Sequence, residues 1–226
     1  MCNPLELYKT SIGKKQIVAV TGLLLILYVI VHLAGNLLIF AGPAVFNGYA
    51  QKLASLRPAL YVVEVGLLFI FVVHIWTTAV LVIENYGARG QAYAVYKSRG
   101  ERSLATRLMP YTGTFLLAFV AWHIFDFTLI DHDGARSILL DGKSYGLFGV
   151  VYNSFLSPLH SALYVLAMFC LGLHLSHGVA SCMQTTGFNH PHYAPAVKRI
   201  SNYFAFFVTV GYSLIPVSVQ LNLLRY

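Results

Sequence analysis

Five long apolar runs, at residues 16–40, 58–83, 107–130, 156–181 and 200–223, divide this chain. Each exceeds the roughly 20 residues needed to cross the hydrocarbon core of a bilayer. Within a bilayer a segment must satisfy its own backbone hydrogen bonds, so all five are predicted to be helices. Pro110 and Pro158 are expected in the first turn of their helices, where a missing N–H costs nothing. Pro216 is expected to kink the fifth helix. The long polar stretch at 131–155 is glycine-rich at its start, and its later part (Tyr145-Gly-Leu-Phe-Gly-Val-Val-Tyr152) is expected to lie in the membrane interface. The pattern predicts an all-α fold, one integral membrane domain over residues 1–226 built as a five-helix transmembrane bundle.

Composition agrees. The chain is 58% hydrophobic and only 10% charged, with a mean hydropathy of +0.68. A soluble domain carries roughly a quarter of its residues as charges. The first apolar run follows Lys9, Lys14 and Lys15 as a signal peptide would, but it is much longer than a signal core, so it is expected to be a retained span.

The net charge of +7 changes the picture only through its distribution. With the N-terminus inside, the inner segments carry Lys9, Lys14, Lys15, Arg89, Lys97, Arg99, Arg102, Arg107, Lys198 and Arg199. The outer ones carry Lys52, Arg57, Arg136, Lys143 and Arg225. Ten of fifteen basic residues therefore fall inside, which fits the positive-inside rule and places the C-terminus outside. The basic excess is a topology signal, and a nucleic-acid partner is not expected. The 89–107 loop also suits docking of an acidic partner at the inner face.

Four of the nine histidines sit deep in a span: His32, His74, His123 and His174. Each lies 16 to 18 residues beyond the start of its apolar run. Because successive helices run in opposite directions, equal offsets give two depths. His32 and His123 fall in the outer half, His74 and His174 in the inner half, roughly 10–15 Å apart along the normal. A single intramembrane histidine often only hydrogen-bonds a neighbouring helix. Two matched pairs instead predict two bis-histidine haems, since imidazole is a regular axial ligand. The three cysteines make no Cys-x-x-Cys-His, so such haems would be held non-covalently, as b-type haems are. Thr21-Gly22-x9-His32 recurs as Thr112-Gly113-x9-His123. There Gly22 and Gly113 would let a flat macrocycle approach the helices of the outer haem, or serve as ordinary small-residue packing sites.

With these histidines in this order, the chain resembles the five-helix, two-haem cytochrome b subunit of succinate:quinone oxidoreductases and quinol:fumarate reductases. The local matches are Thr21-Gly-x9-His32, Val120-Ala-Trp-His123 and Leu173-His-Leu-Ser-x-Gly178, with His74 in a corresponding second helix. The resemblance implies His32 and His123 on the outer haem iron and His74 and His174 on the inner one. It further implies a flavoprotein and an iron–sulfur subunit on the cytoplasmic face of a bacterial inner membrane, and a quinone, usually menaquinone, as membrane substrate. Two features depart from the family. The position of a proton-carrying glutamate in some members is Gly172 here, and residues 41–57 contain no acid.

A quinone needs partners for its carbonyls and a route for protons. Glu64, Asp126 and His160 are the polar candidates in the outer half of the spans. Glu64, with no nearby cation in its own sequence, is expected to be pushed toward the neutral form, the alternative being a hydrogen bond that only packs helices. On the inner side His177, one turn past His174, is a rival ligand. Lys15, Arg107 and His177 are candidate partners for haem propionates, or Lys15 and Arg107 simply mark the membrane boundary. Two other readings stay open: the cytochrome b anchor of a hydrogenase or formate dehydrogenase, and a haem-free transporter. A homo-oligomer of the whole complex is also compatible.

Overall fold

The computed structural model describes residues 4–88, 104–188 and 190–224. The basic positions Arg89, Lys97, Arg99, Arg102 and Arg225 lie outside the described residues. Among the described residues, eight α-helices form: α1 (Pro4–Lys9), α2 (Ser11–Leu37), α3 (Pro43–Ser55), α4 (Ala59–Gly87), α5 (Leu104–Phe127), α6 (Gly146–Phe155), α7 (Pro158–Thr185) and α8 (Ala194–Gln220). Among the described residues there is no strand beyond one isolated bridge, Ile138 with Ser144.

Five of these helices, α2 with the 3-10 turn that follows it, α4, α5, α7 and α8, are long and apolar enough to cross a membrane. They run several residues beyond the apolar stretches at one end each, the N-terminal ends of α2, α5 and α8 and the C-terminal ends of α4 and α7, because hydropathy marks the lipid-facing part of a helix and not its hydrogen-bonded length. Thr10 caps α2 by accepting from Gly13 N–H at 3.0 Å, and Ser157 caps α7 ahead of Pro158. Pro110 departs from expectation. The third span begins at Leu104, so Pro110 sits inside α5 and interrupts its hydrogen-bond ladder.

Packing arranges the spans as two pairs. α4 lies along α2, α5 lies along α7, and α2 meets α7 between them, with α8 packed on α7 and α2. Around the resulting four-helix set the order is α4, α2, α7, α5. α2 and α5 stand on one diagonal, α4 and α7 on the other. Between α4 and α5 lies an apolar cavity of about 390 Å³ lined by Leu68, Phe71, Val72, Ile75, Trp76, Ala79 and Leu117. The outer surface of α4 is apolar and open, with Val62 75% and Phe69 68% exposed, as a lipid-facing helix requires.

The best-buried core is not in the middle of the bundle. It lies at the end where α3 and α6 close over the spans, and joins Ile39, Phe46, Phe148, Val151, Tyr152 and Phe155 to Tyr164, Ile215 and Val219. Phe148 and Val150 are completely buried, so α6 is a core element of this cap. Asn47 joins its two halves: its Nδ2 donates to Tyr145 O at 2.7 Å and its Oδ1 accepts from Phe148 N–H at 3.0 Å. Gly149 permits the contact with the 3-10 turn at Ala135–Ser137, since a β-carbon there would overlap the Ser137 carbonyl.

Candidate functional site

α2 and α5 point His32 and His123 at each other across their diagonal. The ring centroids are 5.9 Å apart and the planes nearly perpendicular. Aromatic rings close this level: Tyr28 stacks on His32 at 5.3 Å, Phe119 on His123 at 5.8 Å, and Tyr212 from α8 lies 6.1 Å from His32. On the other diagonal, α4 and α7 bring His74 and His174 within electrostatic range of each other. The two histidine pairs anticipated from depth are therefore the two diagonals of one four-helix set.

Each second-level imidazole touches a threonine of the neighbouring helix. His74 Nδ1 lies 3.1 Å from Thr21 Oγ1, and His174 Nδ1 lies 3.3 Å from Thr112 Oγ1. Gly22 and Gly113, on the two helices that carry the first pair, lie at this second level. A β-carbon on either would come within 3.4 Å of Cε1 of His74 or His174 respectively. The reason is helical geometry. Thr21 and His32 are eleven residues apart, about three turns, so both face the bundle at levels about 16 Å apart. Cys182, not singled out from sequence, is buried here, with its Sγ 3.2 Å from the same point on Gly22.

His177 bonds elsewhere, its Nδ1 lying 3.1 Å from Thr106 Oγ1. Lys15 and Arg107 are exposed, as residues marking a boundary are. The neighbouring Lys14 is the buried one, and it is paired with Glu84 of α4.

One turn beyond His123, Asp126 is the centre of a buried polar cluster beneath the cap. Tyr164 OH donates to its Oδ2 at 2.9 Å, and Arg136 Nη2 donates to its Oδ1 at 2.9 Å and also to Ser154 Oγ. His160 Nε2 lies 2.9 Å from Oδ2 but out of line for a hydrogen bond, so this contact is an ion pair only when the ring is protonated. The His160 ring stacks on Tyr164 at 4.8 Å and meets Trp122 at 5.1 Å. Asp126 and His160 were legible as candidates; Tyr164 and Arg136, 38 and 10 residues from Asp126, were not. Glu64 stands apart from this cluster. Contrary to expectation it has a cation beside it, Arg57 at 3.6 Å, with both side chains more than 40% exposed.

The resemblance implies two b haems, and the donor set fits them. Among the described residues no three His, Cys, Asp or Glu side chains gather to hold a bare metal ion. A macrocycle brings its own equatorial ligands and needs only two axial ones, which is what each diagonal offers. His123 Nδ1 is buried with no hydrogen-bond partner, and Gly22 and Gly113 let the rings of His74 and His174 lie close against the α2 and α5 backbones.

Comparison of the chain with models of protein families, with curated proteins and with solved structures gives no match.

Proposed function

We propose that this chain is a dihaem cytochrome b membrane anchor of a succinate dehydrogenase or fumarate reductase, passing electrons between a membrane quinone and soluble iron–sulfur and flavoprotein subunits. The observation that carries the reading is the pairing of four span-borne histidines on crossed diagonals at two levels. Bound haem would supply one-electron carriage between those levels. His32 with His123, and His74 with His174, would hold the two irons. The aromatic rings around the first pair exclude water from it. The distribution of Lys and Arg supports a cytoplasmic N-terminus, so the first pair is the outer one and the second the inner one. Asp126, His160 and Tyr164 then form a proton-exchanging group on the outer side, close to where a menaquinone or other quinone would meet the outer haem.

The test is a pyridine haemochrome assay with a redox titration of the purified complex. Two b haems per chain are expected. His32→Ala should remove one and His74→Ala the other. A haem-free preparation, or two haems retained in both variants, overturns the proposal. Co-purification of subunits with succinate or fumarate activity tests the partner assignment separately.

A further inference from the structure

The two histidine levels differ in what stands behind the rings. Thr21 Oγ1 lies 2.7 Å from Ile17 O, one turn back in its own helix, and Thr112 Oγ1 lies 3.0 Å from Leu108 O. Each hydroxyl proton is thereby committed to a carbonyl, leaving the oxygen free only to accept. The nitrogen facing it must then be the donor. His74 Nδ1–H donates to Thr21 and His174 Nδ1–H donates to Thr112. A neutral imidazole protonated at Nδ1 carries its lone pair on Nε2. At the other level, His123 Nδ1 is buried with no partner.

We infer that Thr21 and Thr112 are positioning residues that fix the Nε2-ligating tautomer of His74 and His174 and hold the inner haem at a lower reduction potential. The inference rests on the dihaem reading above. A hydrogen bond donated from the far side of a ligating imidazole orients the ring and raises its basicity. A more basic axial ligand favours ferric over ferrous iron, which lowers the potential. The device is built twice in equivalent positions, once between α2 and α4 and once between α5 and α7. Both threonines belong to the helices that carry the outer ligands, yet they act on the inner site, because the Thr-x10-His spacing returns to the same helix face about three turns on.

The experiment is an optical redox titration of the intact complex carrying Thr21→Val, Thr21→Ser or Thr112→Val, with haem content measured alongside. Valine keeps the shape and removes the hydroxyl acceptor, leaving at His74 only the nearby Val18 carbonyl. Each valine variant should raise the potential of the inner haem and leave the outer one in place. A tenfold change in the ferric preference reads as about 59 mV for a one-electron couple. Thr21→Ser should restore the native value. If valine instead expels the inner haem while serine retains it at the native potential, the hydroxyl is still the required group. An unmoved potential in the valine variants, a shift of the outer haem instead, or loss of the inner haem with serine as well as valine overturns the inference. Absence of two haems from the unmodified complex overturns the underlying reading, a result distinct from these.

Discussion

Gly172 of α7 faces Thr209 of α8 with no room for a β-carbon between them: one placed on Gly172 would overlap Thr209 Oγ1. Thr209 cannot easily turn away, because a β-branched side chain in a helix has few χ1 options. Its hydroxyl is also bonded to Ala205 O at 2.8 Å and to Met168 O at 3.3 Å. Gly172 is thus a packing requirement of the α7–α8 contact in this chain. Gly172→Ala should destabilise the bundle by about 1–3 kcal/mol, the usual cost of overpacking. Thermal unfolding in detergent would show it as a lowered Tm. Adding Thr209→Ala, which removes the obstructing oxygen, should recover part of the loss; an additive double variant would show that the two residues do not compete for the same space.

The cap gives a second prediction. At Gly149 the obstacle is backbone, the Ser137 carbonyl, which cannot rotate aside as a side chain can. Gly149→Ala should push α6 off the Ala135–Ser137 turn and loosen the polar segment between α5 and α6. Limited proteolysis should then cleave within 131–145 faster than in the unmodified protein. An unchanged digestion rate would mean that the cap absorbs the methyl group.

How much of this was legible in the sequence depends on the range of the interaction. The five spans could be read because lipid solvation acts on each helix by itself. Helix ends, and with them the interior position of Pro110, were misread because hydropathy does not register the polar turns that continue α4 and α5. Neither α3 nor the burial of α6 was foreseen, because what buries them is each other: Asn47 bridges to Phe148, 101 residues away. The histidine pairs were recoverable because chain direction and depth supply a long-range ruler. What the Thr-Gly motif touches was not legible, because that contact is made across helices. Its partner is not the histidine of its own helix but His74, 53 residues on.

The Asp126 cluster gives a third prediction, about stability. The Asp126 side chain is 8% exposed and its charge is met by Arg136, itself 37% exposed, with Tyr164 as a second donor. Removing a partner from a buried carboxylate leaves that charge to be met by the remaining groups. Tyr164 remains, so Arg136→Ala should cost about 1–3 kcal/mol, not the full penalty of an isolated charge. Asp126→Asn combined with Arg136→Ala should cost less than the sum of the two single changes, since the neutral amide no longer needs the cation. Chemical or thermal unfolding of the four proteins would measure that coupling, and a coupling near zero would show that the pair is only a surface contact.

The last prediction separates the two carboxyl groups proposed for quinone chemistry. Glu64 sits against Arg57 at 3.6 Å, and both side chains are more than 40% exposed. Asp126 instead lies one turn from His123, in contact with Tyr164 and His160 and linked through Arg136 to the cap. A group that exchanges protons with a quinone beside the outer haem must reach both the ligand and water. Asp126 meets that requirement through Tyr164 and His160 on one side and Arg136 on the other. Asn at this position keeps one oxygen to accept from Arg136 and presents an NH2 to the Tyr164 hydroxyl, which can accept instead, so the fold and, on the dihaem reading, both haems should survive Asp126→Asn. Proton transfer by a positioned side chain typically contributes about 10²–10⁴-fold to rate. Turnover with a quinol substrate should therefore fall by about 10²-fold or more in Asp126→Asn, with haem spectra intact, while Glu64→Gln causes a much smaller loss. Steady-state quinol oxidation, normalised to haem content, decides between them. If Glu64→Gln is the more damaging change, the proton-exchanging group lies on the α4 side of the bundle and the Asp126 cluster is structural.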